Sequence, residues 1–318
     1  MPPSSEGFGK SPPEPTAPIA EATPPPTPRP QGPDRPIYSM PALYDIAFGY
    51  RNYEVEVDFL VGQHQLLHNG KPPAKVLELA AGPARHSIYA LQASMVQSAT
   101  CMDNSPEMIK YGMDVAEHEL DAEFLPNFTY LERDMQSFDF PQGDDNDDEQ
   151  QLFDSCWILL GSLQHLTENT QVISCLESIH KALKPDGTLI LELPHPRETF
   201  SLIECTRNGW QVPLEDDNGE ETGGELEVVW GDDDDEFNSI TQVRQFTVSM
   251  KVKGVEKEGM QSVSQVVPLR HFTTQEIDAL GRIAGFEIDS LHGALADDVD
   301  VNDDDEAFRL VCVLRKRQ

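Results

Sequence analysis

The chain has 318 residues, 38% of them hydrophobic, and a formal net charge of −33 from 23 Lys and Arg against 56 Asp and Glu. Such an excess of carboxylates repels a phosphate backbone, and no basic stripe with interleaved aromatics appears, so nucleic acid is excluded as a partner at this stage. No stretch approaches the roughly 18 apolar residues of a membrane helix, and the cysteines at 101, 156, 175, 205 and 312, scattered and without zinc-ligand spacing, read as buried thiols of a reducing compartment with no metal site.

In chain order, residues 1–40 hold roughly half of the 25 prolines and show no apolar periodicity, so a disordered tail is expected there, with the folded domain over 41–318. The tail lacks the apolar run of a secretory signal, and the default address is the cytoplasm. A helix is predicted near Glu54–His68, and a strand over Lys75–Leu79 follows a Lys-Pro-Pro break. The small-residue turn Ala80, Ala81, Gly82, Pro83, Ala84 leads into a helix over Arg85–Gln92, then a strand over Gln97–Asp103. Ser105-Pro106-Glu107 starts the next helix with a cap and an N1 proline. Strand three, Phe128–Arg133, ends at Asp134-Met135, and strand four, Leu152–Leu160, is continuously apolar through SCWILL, as a central parallel strand buried on both faces should be. It runs into Gly161-Ser162-Leu163-Gln164-His165-Leu166.

A helix over Gln171–Leu183 is followed by LKPDGTLILELP at 183–194 and by the polar cluster Glu192, His195, Arg197 and Glu198. Between about 208 and 271 the period changes to two, in LEVVW, SITQVRQFTVSMKV and SVSQVVPLRH, which predicts an antiparallel β meander inserted before the last helix. Thr273 to Glu276 form a capping box for that helix, and strands over Phe286–Leu291 and Ala307–Leu314 close the domain as an antiparallel pair. Three acidic runs, at 144–149, 232–236 and 297–306, lie between predicted strands and read as solvated loop tips. The last is not an EF-hand, because Asp303 replaces the required glycine and Arg309 the final glutamate.

The chemistry concentrates in VLELAAGPARHS at 76–87 and CMDNS at 101–105. A strand ending in an acid, a short-side-chain turn, a helix and a second strand closing on an acid suit a nucleoside-bearing ligand: backbone can approach it, helix N–H groups face it, and Asp103 can accept from both ribose hydroxyls. Any βαβ unit with a small-residue turn remains an alternative on these residues alone. A dinucleotide fold needs G-x-G-x-x-G, of which only Gly82 survives, and a carboxylate at Glu78 would repel a pyrophosphate but pair with an ammonium.

These residues resemble motif one of the class I S-adenosylmethionine-dependent methyltransferases, and the resemblance runs from about Tyr44 to the C-terminus. YDIAFGYR at 44–51, the LKPDG turn and LRHFTTQEIDALGRIAGF resemble the small-molecule members, including aminosugar N-methyltransferases. The resemblance implies an α/β fold, a doubly wound seven-stranded Rossmann-like sheet with the meander of 208–271 as a lid or substrate subdomain. It implies S-adenosyl-L-methionine as cofactor. Glu78 would then meet the methionyl amino group, directly or through water; Ala80 and Gly82 would pass beneath the cofactor, and Asp103 would hold the ribose. Asn104 and Met108 would lie near the adenine, with Asp134 accepting from its amine and Met135 against the ring; Leu160 and Gly161 would border the sulfonium. Tyr44 would approach the cofactor, and Arg51 or Tyr50 would border the pocket. Two departures stand out: Ala80 and Ala84 replace glycines, which is tolerable where φ is negative, and Asp186 replaces a glycine where aspartate can adopt a left-handed conformation.

The implied reaction is transfer of a methyl group to a nitrogen or oxygen of a small-molecule acceptor, which requires alignment and exclusion of water more than acid–base chemistry. His165, His195 and Glu192 are the candidates for taking the acceptor's proton, and none separates N- from O-methylation. The alternatives are a methyltransferase-fold binding or scaffold protein, a protein methyltransferase, and a nucleotide-dependent oxidoreductase that Glu78 disfavours. Oligomeric state and acceptor identity are not legible.

Overall fold

Continuously apolar runs form the centre of one sheet and alternating runs form another. In a computed structural model, which describes residues 37–140, 152–197, 208–216, 219–255 and 262–317, all within the unit Gln31–Gln318, β1 (Lys75–Leu79) pairs in parallel with β2 (Ser98–Asp103) on one side and β4 (Phe153–Ile158) on the other. Each residue of β4 is buried, and Trp157 is fully enclosed, which is why this segment carries no alternation. β3 (Phe128–Glu132) extends the sheet beyond β2, and β5 (Leu183–Pro194) lies beyond β4. The antiparallel pair β11 (Phe286–His292) and β12 (Arg309–Lys316) completes the seven-stranded order β11-β12-β5-β4-β1-β2-β3.

The chain moves outward in one direction through β1, β2 and β3, then returns to begin β4 on the far side of β1. The crevice outside the carboxyl ends of β1 and β4 is therefore the switch point at which open α/β sheets bind ligands. Helices cover both faces. α1 (Pro41–Phe48) and α2 (Tyr53–Leu67) precede the sheet; α3 (Arg85–Gln92) and α4 (Pro106–Glu119) alternate with its first strands. α2 and α3 pack Val57, Leu60, Ile88 and Leu91 on one face. On the other, α5 (Asn169–Ala182) and α6 (Thr274–Ile283) pack Val172, Leu176, Ile277 and Leu280.

Local chemistry sets the element boundaries. Ser105 caps α4 by accepting from Met108 N, with Pro106 at N1, and Thr273 and Glu276 cap α6 reciprocally. Asp154 in β4 accepts from Ala74 N and Lys75 N and from Lys184 Nζ at 2.6 Å, tying together the starts of β1, β4 and β5. LKPDG differs from its expected form: Leu183 pairs with Phe153 and Thr188 with Ser155, so the intervening residues bulge out of β5. Asp186 is not among the residues with positive φ, because the bulge turns the chain without a left-handed residue at that position.

The second sheet has β7 (Glu221–Trp230) and β9 (Val243–Lys253) at its centre, with β6 (Asn208–Glu215), β10 (Val263–Arg270) and the short β8 (Phe237–Asn238) at its margins, all antiparallel. Leu226, Val228, Phe246, Val248, Val263 and Val267 face inward, and exposed Gln245 and Val266 alternate with them. Residues 37–40 depart from the tail expectation. Their apolar side chains are used: Ile37 is buried and Tyr38 packs against the same cluster, so the ordered chain starts before residue 41.

Of the acidic runs, 144–149 lies outside the described residues. In 232–236, Asp235 is buried and not a solvated tip, because its carboxylate accepts from Asp232 N, Thr247 N and Thr247 Oγ1. In 297–306 the Arg197 guanidinium donates to the carbonyls of Asp303 and Asp304. Cys101, Cys156, Cys175 and Cys312 are free and buried, and Cys205 lies outside the described residues.

Candidate active site

The turn after β1 keeps the shape of a glycine turn without its glycines. Ala80, Gly82 and Ala84 have φ of 50°, 52° and 59°, so both alanines adopt the left-handed conformation and not the negative φ expected of them. The turn is held from outside: Ala81 N donates to Met102 O, Gly82 N to Asp103 Oδ2, and Tyr130 Oη to Gly82 O at 2.5 Å. Those bonds oppose a cost of about 1–2 kcal/mol for each left-handed alanine. Leu160 and Gly161 at the end of β4 repeat the pattern, with φ of 55° and 72°. Strained backbone therefore borders the crevice on both sides of the switch point.

Asp103 ends β2 with one oxygen accepting from Gly82 N at 3.0 Å and the other from Ser105 N at 2.9 Å. Burial raises its pKa and these backbone donors oppose the rise. Asn104 is a further backbone donor to this carboxylate, and the acceptor capacity that remains lies at the cavity. Asp134 accepts from Gln136 N at 2.8 Å through one oxygen, leaving the other for a donor. A cavity of about 410 Å³ opens over these groups, and Ala80, Gly82, Asp103, Asn104, Met108 and Asp134 line it. Met135, Leu160, Gly161 and Tyr44 line it too, so ten of the eleven positions expected to hold the cofactor face one cavity.

Glu78 is the eleventh and does not line it. It is 3% exposed, and its Oε2 accepts from Ser87 N at 3.2 Å and Ser87 Oγ at 2.5 Å. Burial raises its pKa, with His86 and the Ser87 bonds opposing. It is an internal cap for α3, occupying donors that the sequence alone leaves free for a ligand.

The three candidate proton acceptors separate. His165 lines the cavity, and burial lowers its pKa to about 4, which leaves the ring neutral near pH 7. Its Nε2 lies 2.9 Å from Tyr38 Oη. Glu192 is 1% exposed and lies outside the lining: Arg51 Nη2 donates to both its oxygens at 3.2 Å, Arg309 Nε is 3.3 Å away, and Leu160 N donates to it at 2.8 Å. Burial would raise its pKa, but Arg51 and Arg309 bring it down to about 2. It is thus the fixed anion that positions Leu160. His195 also lies outside the lining, because its Nε2 bonds to Val301 O and its Nδ1 accepts from Arg197 N; the flanking prolines turn it towards the 297–306 loop. Neither Tyr50, which is 66% exposed, nor Arg51 lines the cavity.

Residues 76–187 match the family model described as a methyltransferase domain. Solved structures share the fold around it. An S-adenosylmethionine-dependent methyltransferase from Clostridium acetobutylicum is 12% identical with a TM-score of 0.63, covering 87% of this chain and 97% of that one. CalS10, an amino pentose methyltransferase from Micromonospora echinaspora solved with S-adenosylmethionine bound, is 19% identical with a TM-score of 0.61, covering 86% and 96%. DesVI from Streptomyces venezuelae is 17% identical with a TM-score of 0.63, covering 87% and 98%. A comparison with curated proteins gives no match.

A methyltransferase domain implies S-adenosylmethionine, and the residues present fit it. Asp103 lines the cavity with acceptor capacity remaining, and Gly82, at φ 52°, leaves the turn open towards it: a Cβ there would meet only ordinary contacts, 3.9 Å from Met108 Sδ and 4.0 Å from Tyr44. Tyr38 is the site residue that sequence reasoning missed. Its only signal was the apolar triplet Ile37, Tyr38, Met40 at the end of a proline-rich tail, too short for periodicity to show.

Proposed function

We propose that this protein transfers a methyl group from S-adenosylmethionine to a nitrogen or oxygen nucleophile of a small molecule. The observation that supports it most is Asp103, oriented by backbone donors at the end of β2 and lining the crevice with acceptor capacity remaining. Asp103 takes the ribose hydroxyls, the free oxygen of Asp134 accepts from the exocyclic amine, and Met108 and Met135 flank the adenine. When bound, the cofactor would supply an electrophilic methyl on a sulfonium for in-line displacement by the acceptor's nitrogen or oxygen, with the thioether as leaving group.

Leu160 and Gly161, fixed through Glu192, border the reacting end. His165 stands at the rim as a neutral imidazole, able to take the nucleophile's proton, and Tyr38 orients it through their hydrogen bond. Residues 208–271 form the substrate subdomain: Trp230, Phe246, Val267 and Leu269 close the cavity opposite the parallel sheet and keep water from the reaction. Calorimetric titration with S-adenosylmethionine, followed by incubation of the purified chain with labelled cofactor and a metabolite extract, tests the proposal. Cofactor binding with label passing to a small molecule is expected; no binding at millimolar cofactor would sink it.

A further inference from the structure

The wall contributed by the second sheet constrains what the acceptor can be. Trp230 of β7, Phe246 of β9 and the alternate residues Gln265, Val267 and Leu269 of β10 line the cavity, with Phe246 in register with Val267. Phe246 and Val267 are buried in the core of that sheet and line the cavity as well. Phe48 joins them, its ring edge-to-face with Trp230 at 5.1 Å. Leu160 packs on the same cluster, so this apolar surface reaches the end of β4, where the methyl group would be delivered.

Polar groups on that side are already engaged. Gln265 Oε1 accepts from Ile37 N, and Gln164 Nε2 donates to Arg270 O. Arg309 lines the cavity but belongs to a balanced cluster: Arg51 and Arg309 face Glu56 and Glu192, two cations against two carboxylates. Arg133 also lines the cavity, but it follows β3 beside Asp134, at the end assigned to the adenine and not at this wall, and the net charge of −33 repels polyanions at longer range. The Tyr38–His165 pair lines the same cavity as the aromatic wall.

We infer that the acceptor is an uncharged molecule with an aromatic body and one nucleophilic hydroxyl or amine. The body lies against Phe48, Trp230, Phe246 and Val267, and the nucleophile points to the Tyr38–His165 pair. Burial of an aryl ring on such a wall and its edge-to-face contacts supply the affinity, and with Arg309 held against Glu192 the wall offers a diphosphate-linked sugar no excess cation. The assignment of this molecule as a methyl acceptor rests on the proposed methyl transfer; the binding surface does not.

The full chain is titrated calorimetrically with 2-naphthol and, separately, with a nucleoside-diphosphate-linked amino sugar. Saturable naphthol binding and no sugar-nucleotide binding are expected. Trp230→Leu, at a half-buried position, and Val267→Phe, which fills the chamber, should each weaken naphthol at least about tenfold in protein whose circular dichroism matches wild type, as a pocket mismatch of this size does. Sugar-nucleotide binding tighter than that of naphthol, no naphthol binding up to millimolar concentration, or unchanged naphthol affinity in both variants would overturn the inference. Naphthol binding by a chain that does not bind S-adenosylmethionine would instead sink the methyl-transfer proposal and leave the aryl site standing.

Discussion

Replacing Glu192 by Gln separates a structural anion from a catalytic one. The carboxylate is 1% exposed and held between Arg51 and Arg309, with a pKa of about 2 in place of 4.5. That displacement favours the charged form by about 3 kcal/mol, at ~1.4 kcal/mol for each pH unit. Removing the charge also leaves two guanidiniums with less compensation, and breaking such buried pairs costs roughly 3–5 kcal/mol. The amide oxygen of Gln can still accept from Leu160 N, so the loss is mainly electrostatic. Urea unfolding followed by tryptophan fluorescence should show E192Q less stable by about 3 kcal/mol at pH 7. Because the folded pKa is depressed, this contribution is present above pH 4.5 and disappears as pH falls towards 2. The gap between wild type and E192Q should therefore narrow over that window. A loss below about 1 kcal/mol, or a gap independent of pH, would refute the anchoring role.

The left-handed alanines make a contrasting pair. Ala80→Gly should stabilise the chain by about 0.5–1 kcal/mol, the relief of a left-handed alanine less the added freedom of the unfolded glycine. Ala84→Gly should gain nothing, because Ala84 is fully buried and its methyl contributes about 0.8 kcal/mol; equal gains in urea unfolding would contradict this account. For His165, proton NMR should give a titration midpoint near 4. Its folded pKa lies below the unfolded value of 6.5, so the unfolded chain binds the extra proton and stability falls as pH drops from 6.5 towards 4. A midpoint near 6.5 would show a solvated ring and remove the desolvated cavity from the account.

The succession of strands and the cleft at their carboxyl ends were legible because they follow from runs and acids in sequence order. SCWILL read as a central strand buried on both faces, and the acids at 78, 103 and 134 marked three successive strand ends. The division of labour among those acids was not legible. Glu78 and Asp103 each end or nearly end a strand, but whether a carboxylate meets a ligand or its own helix depends on which backbone donors the turn presents, and the left-handed alanines point Ser87 N at Glu78. His165, His195 and Glu192 looked equivalent for the same reason, since their partners Tyr38, Val301 and Arg309 are 127, 106 and 117 residues away. The inward face of the meander was readable from its alternation, yet its approach to Leu160 is tertiary packing that no local pattern encodes.

The central claim is that the crevice at the ends of β1, β2 and β4 holds S-adenosylmethionine through Asp103. Calorimetric titration of Asp103→Ala beside wild type tests it most directly. Wild type should bind saturably, and the variant should lose about 1.5–3 kcal/mol, roughly 10- to 150-fold in affinity, for hydrogen bonds to a charged group. Unchanged affinity in a folded Asp103→Ala protein would contradict the claim.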